Sequence, residues 1–139
     1  MASTTGECLC GACAYSYTGD PAIKGLCHCK TCRKVSGGTN TVNFGIPGSN
    51  FTMTKGTPKT VETVHENGMK ITLFFCSECG TTLWKEADAE DFKDLKLVQV
   101  GTLSDAAAQL AKGMDVELWV KYRVPWLQAI DGVEQKSQF

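Results

Sequence analysis

Three thiols within six residues, in Cys27-His28-Cys29-Lys30-Thr31-Cys32, constrain this chain more than any other stretch. In an extended strand, residues two apart point to the same side, so Cys27 and Cys29 address one point in space. A turn after Cys29 brings Cys32 round to that point. Three converging thiolates suit a soft, tetrahedral metal such as zinc. A closed structural site uses four ligands and this stretch supplies three. An open fourth position is what a catalytic zinc keeps for substrate or water.

Four further cysteines form two knuckles far apart in sequence, Cys8-Leu9-Cys10-Gly11 and Cys76-Ser77-Glu78-Cys79-Gly80. Together they make a closed tetrahedral zinc site, which would clamp an N-terminal strand to the middle of a sheet and contribute to folding energy. The competing reading is two disulfides or reduced core cysteines. For the Cys27-Cys29-Cys32 cluster the residues leave open and closed readings balanced. A fourth ligand would come from Cys13 or from one of the two histidines, His28 and His65. His28 lies between Cys27 and Cys29 and points to the other face of a strand. Cys13 equally fits a small buried apolar position. His65 reads as an ordinary strand-end residue.

Eight cysteines in a secreted chain would suggest disulfides. The first residues, Met1 to Glu7, contain no basic segment followed by an apolar run, so the expectation is a reducing, cytoplasmic setting with metal-bound thiolates. A formal net charge of -1 gives no basic footprint for nucleic acid. No apolar stretch reaches membrane-spanning length, so neither nucleic acid nor membrane is an expected partner. A homo-oligomer is left open.

A length of 139 residues suits one domain over 1–139, with a core from about 5 to 130 and a loosely held tail over 131–139. Short alternating segments punctuated by Gly, Pro and Asn predict many short strands. Glu66-Asn67-Gly68 signals a hairpin between the segments 57–65 and 69–75. Strands are also expected over Lys24 to Cys29 and Val116 to Val120. Ser104 to Gly113 is the one clear helix, with Ser104 as N-cap and Gly113 at its C-terminal stop. The segment 30–38 reads as a loop or a short helix. The fold class is therefore mainly β, with one short helix near the C-terminal third.

The three cysteine blocks, Gly6-Glu7-Cys8-Leu9-Cys10-Gly11, then Cys27-His28-Cys29-Lys30-Thr31-Cys32-Arg33-Lys34-Val35-Ser36-Gly37, then Phe75-Cys76-Ser77-Glu78-Cys79-Gly80-Thr81, come in the order found in one family. The chain resembles the glutathione-dependent formaldehyde-activating enzymes, a family that includes the centromere protein V type domain. The likeness extends to Glu117-Leu118-Trp119-Val120 and Pro125-Trp126. It implies a zinc-containing β-tent fold and two zinc ions. One is structural, at Cys8, Cys10, Cys76 and Cys79; the other is catalytic, at Cys27, Cys29 and Cys32. Cys13 departs from the family's usual apolar residue.

The implied activity is carbon–sulfur lyase or synthase chemistry on glutathione adducts. It forms S-hydroxymethylglutathione from glutathione and formaldehyde, or cleaves a larger glutathione conjugate. Arg33 and Lys34 then become candidates for a glutathione carboxylate, unless they are a solvated surface pair. The backbone of Ser36-Gly37-Gly38 offers amides to the other carboxylate, and Asn40 a bond to the peptide. Trp126 and Trp84 are candidate pocket walls, with Trp84 better read as core. The alternative function is a non-catalytic zinc domain serving as a protein-interaction module.

Overall fold

The computed structural model describes residues 2–139. Short strands form two sheets. The smaller contains β1 (Ser3–Glu7), β2 (Ala14–Thr18) and, following in the chain, the fifth strand. The larger opens with β3 (Ile23–Cys27), which leads through α1 (Lys30–Ser36) to β4 (Thr41–Pro47). The chain then visits the small sheet with β5 (Phe51–Lys55) and returns for β6 (Lys59–Val64), β7 (Lys70–Phe75), β8 (Thr82–Ala87) and β9 (Leu95–Gln99). Helix α2 (Ala106–Leu110), β10 (Val116–Leu118) and β11 (Glu134–Gln135) complete it. Strand order is β1-β2-β5 in the small sheet and β11-β10-β3-β4-β9-β8-β7-β6 in the large one. None of the helices is long and apolar enough to cross a membrane among the described residues.

Cross-strand register divides the large sheet into two faces. Phe44 lies opposite Val98, and Val98 opposite Trp84. All three are buried, and with Tyr15 and Tyr17 of β2 they form the core between the sheets. Trp84 stacks on Phe74 at 4.4 Å and packs on Phe51, so its core reading holds. Within the small sheet Tyr15 lies across from Gly6, where a Cβ would sit 2.4 Å from its ring. Side chains alternate across a strand, so the neighbouring row takes the other face. That row runs Leu118–Cys27–Thr41 across β10, β3 and β4, and Gly45–Leu97–Lys85 across β4, β9 and β8. This second face carries the three-cysteine cluster.

Four expectations about the number and bounds of helices and strands need correction. The structure has two α-helices where one was expected: residues 30–36 are helical as well. Cys29 caps α1, its sulfur accepting the Cys32 N–H at 3.3 Å, and Gly37 ends it in the left-handed region at φ 67°. The strand entering this region therefore stops at Cys27. Helix α2 starts at Ala106, and Ser104 does not cap it: its hydroxyl accepts from Thr5 Oγ1 instead. Strand β10 ends at Leu118, because Trp119 turns to φ 56°, a conformation that bulky residues rarely adopt.

The tail read as loosely held is docked. Strand β11 pairs with β10 in parallel, and the Trp119 and Val120 N–H groups donate to the carbonyls of Gln138 and Lys136. Phe139 packs on Trp119, His65 and Phe92.

Candidate functional site

The first thiol cluster sits where the sheets meet. Cys8 and Cys10 follow β1, and Cys76 and Cys79 follow β7. Both knuckles use one device. Gly11 and Gly80 take φ 78° and send their N–H groups back to the carbonyls of Cys8 and Cys76. Cys8 and Cys10 sulfurs lie 3.7 Å apart, as do those of Cys10 and Cys76. Zinc–sulfur bonds of about 2.3 Å place the corners of a tetrahedron about 3.8 Å apart, so the spacing fits zinc. Backbone N–H groups of Cys13 and Glu78 donate to the sulfurs of Cys8 and Cys76, as thiolates require. The Thr81 hydroxyl and backbone hold the Cys79 thiol down to about 5. At Cys10 the Ala12 backbone favours the thiolate, but desolvation and the neighbouring sulfurs push it up to about 12. Four sulfurs this close carry their negative charge together only around a cation.

Cys13 is buried against this first cluster, where burial, the Cys76 sulfur and nearby thiols push it up to about 11. It does not close the second site.

The second cluster is Cys27, Cys29 and Cys32, all buried, with sulfurs mutually within 4.8 Å. Cys27 ends β3, Cys29 caps α1 and Cys32 lies in its first turn, so the strand-to-helix junction gathers the three. Among the described residues no other sulfur, imidazole nitrogen or carboxylate oxygen joins them at that distance. Bonding with Cys29 and Cys32, together with burial, pushes the Cys27 thiol far up. Hydrogen bonds from Cys27 and Cys29 hold Cys32 well below the usual thiol range, against burial, and the Lys85 ammonium adds to them. Lys85 is buried in β8 and donates to Cys32 Sγ at 3.5 Å and to Thr41 Oγ1 at 3.2 Å. Lys85 therefore stands beside the cluster on its Cys32 side.

Behind the cluster, His28 points away from the sulfurs, as strand alternation requires. Its Nε2–H donates to Glu117 Oε1 at 2.8 Å. The Glu117 carboxylate also accepts from the Ile130 N–H and Gln135 Nε2, and pairs with Arg123 at 3.3 Å. Burial raises the Glu117 carboxyl; the Ile130, His28, Gln135 and Arg123 contacts outweigh it and hold the group at about 2.

The sulfurs open onto a cavity of about 50 Å³. Its walls are mostly apolar, and its polar side chains are Asn43, His65 and Lys85. Asn43 is engaged with Gly25, Thr41 and Gln99. Of the expected substrate contacts, Arg33 is half-buried, and Lys34, Ser36 and Gly37 are exposed on α1 and its cap. Asn40 is half-buried and bonds Thr39, and Trp126 is 72% exposed. None of them lines this cavity. Lys85 and His65 do line it, and sequence reasoning missed both.

The fold and the paired thiol centres define a mainly β protein with two sites suited to zinc. The chain belongs to the glutathione-dependent formaldehyde-activating enzyme family, whose model matches residues 3–122. No curated protein matches the sequence. Among three solved chains that match is the crystal structure of a Rhodobacter sphaeroides protein. It is 18% identical with a TM-score of 0.59, covering 79% of this chain and 96% of that one, a likeness of fold alone.

Proposed function

We propose that this chain makes or breaks the carbon–sulfur bond of a glutathione adduct at the Cys27–Cys29–Cys32 centre, with formaldehyde the first candidate electrophile. The family points to glutathione and formaldehyde. The observation that carries the reading is the trio itself: three buried thiols on one cavity, with no fourth protein donor among the described residues. Cys27, Cys29 and Cys32 would hold a catalytic zinc, and Cys8, Cys10, Cys76 and Cys79 a structural one. When bound at the trio, zinc supplies a cationic centre that favours ionisation of a substrate thiol and stabilises that thiolate as it adds or departs.

The chain's own residues frame the step. No side chain stands as a nucleophile beside its base, so the reacting sulfur is the substrate's. In the forward direction its electron pair forms the carbon–sulfur bond, the carbonyl pair moves to oxygen, and that oxygen takes a proton. Lys85 offsets the negative charge of the trio from 3.5 Å. The mostly apolar cavity beside the trio has room for a one-carbon aldehyde. We assign Arg33, Lys34, Asn40, Trp126 and the Ser36–Gly37 backbone, which do not line this cavity, as contacts of the glutathione backbone outside it. The reducing cytoplasm, where glutathione and free thiols coexist, is the setting that suits this chemistry.

NMR exchange between free glutathione and its formaldehyde adduct reports turnover. The uncatalysed addition is facile, so the control is Cys29→Ser at equal concentration. Faster exchange with the native protein is expected, and equal rates reject the formaldehyde reaction.

A further inference from the structure

We propose that His65 is a catalytic residue of this site, carrying the proton between the substrate's sulfur and its carbonyl-derived oxygen. This rests on the reaction proposed above. His65 follows β6 at the hairpin turn, far in sequence from every cysteine of the trio, yet it is only 2% exposed and lines the same cavity.

The ring is held in one orientation. Both of its hydrogen-bonding contacts run through Nδ1, which lies 3.0 Å from Asn67 Oδ1 and 3.2 Å from the Asn67 backbone nitrogen. Asn67 Oδ1 is itself fixed by the Met69 N–H at 3.0 Å. Oδ1 accepts and the backbone N–H donates, so Nδ1 makes one of these bonds at a time; when it donates to Oδ1, Nε2 keeps its lone pair. Trp119 packs on the ring at 4.8 Å and Phe139 at 5.2 Å. An imidazole anchored through one nitrogen, with the other unengaged beside a mostly apolar space, is the arrangement of a general acid–base group.

The other polar side chains of the cavity have different duties. Lys85 is bonded to Cys32 and Thr41, and the Asn43 amide is fully engaged. His65 is left as the proton carrier. In the addition direction, Nε2 accepts the proton that the substrate thiol gives up. The carbon–sulfur bond forms, the carbonyl pair moves to oxygen, and Nε2–H returns the proton to that oxygen. Cleavage runs the same steps backwards, and no proton is gained or lost overall.

The test compares His65→Gly and His65→Gln with the native protein in the NMR exchange assay, after confirming that zinc content and thermal transition are unchanged. Loss of exchange by roughly 10²- to 10⁴-fold is expected in both. Added imidazole should restore exchange in the glycine variant, which leaves space for it, and not in the glutamine variant. Imidazole with Cys29→Ser measures what buffer catalysis alone contributes. Native-like exchange in either variant, or a loss in a folded, metal-loaded glycine variant that imidazole does not recover, overturns the proposal. If the glycine variant does not fold, the glutamine variant decides: loss supports the role and a native rate overturns it. A native protein no faster than Cys29→Ser rejects the reaction itself, an outcome distinct from all of these.

Discussion

At the scale of single residues, the second site depends on the charge beside it. Lys85 is buried and its Nζ lies 3.5 Å from Cys32 Sγ. Replacing it with methionine keeps the volume and removes the cation. Lys85→Met should weaken metal binding at the trio by about 10- to 100-fold, the range for loss of a ligand's supporting partner. Metal affinity of the first cluster should not change, and chelator competition on one sample reads both. Lys85 was legible only indirectly. Lys85 shares a face with Ala87, and a lysine among the apolar residues of this strand is the available signal. His65 gave none, because its position depends on a hairpin folding against a sheet. Glu117 makes a separate, pH-dependent prediction. Its carboxyl is held at about 2, below its ordinary 4.5, so its contribution is present above pH 4.5 and lost as pH falls through about 2. A shift of this size amounts to about 3 kcal/mol. Glu117→Gln should therefore be less stable near neutrality, with the gap to the native protein closing between those two pH values. Chemical denaturation of both proteins across that range measures it, and a pH-independent gap contradicts the assignment.

The elements that sequence patterns missed are those whose order comes from elsewhere in the fold. Helix α1 spans seven residues and buries only Cys32, so it shows no apolar periodicity. Its signals are a thiol cap and the terminal Gly37, which are not distinguishable from a loop without the neighbouring strand. The hairpin at Asn67-Gly68 was plain, because its turn chemistry is local: Gly68 takes φ 90° between β6 and β7. The tail is polar over most of its length and read as loose. Its attachment comes from strand β11, from carbonyls that accept from Trp119 and Val120, and from the Phe139 ring against Trp119 and His65. It also lies beyond the residues that the family model matches. Removing residues 134–139 should expose the cavity. With the first cluster still metal-loaded, the trio should then react faster with a thiol reagent, and the thermal midpoint should fall by about 3–4 °C per kcal/mol lost. Unchanged thiol reactivity would mean that the tail does not shield the site.

For the whole molecule, the two cysteine clusters stand in different relations to the fold. The Cys8–Cys10–Cys76–Cys79 cluster joins the end of β1 in the small sheet to the end of β7 in the large one. Structural zinc binding contributes about 10–16 kcal/mol at neutral pH. That is comparable with the whole stability of a domain, about 5–15 kcal/mol. Cys76→Ser should therefore abolish the cooperative thermal transition or leave the protein insoluble. The Cys27–Cys29–Cys32 trio joins β3 to the helix that follows it at once in the chain, so the fold needs it less. Cys29 also caps α1, and serine is a favoured residue at that position, so Cys29→Ser replaces the ligand while keeping the cap. This variant should remain folded, retain one zinc of two, and lose exchange activity. Elemental analysis and a thermal scan of the two variants, purified identically, test the division. It fails if they melt alike, or if Cys29→Ser loses both metals. The pairing of cysteines into two groups was legible in their spacing, but their unequal roles follow from which elements each group ties together.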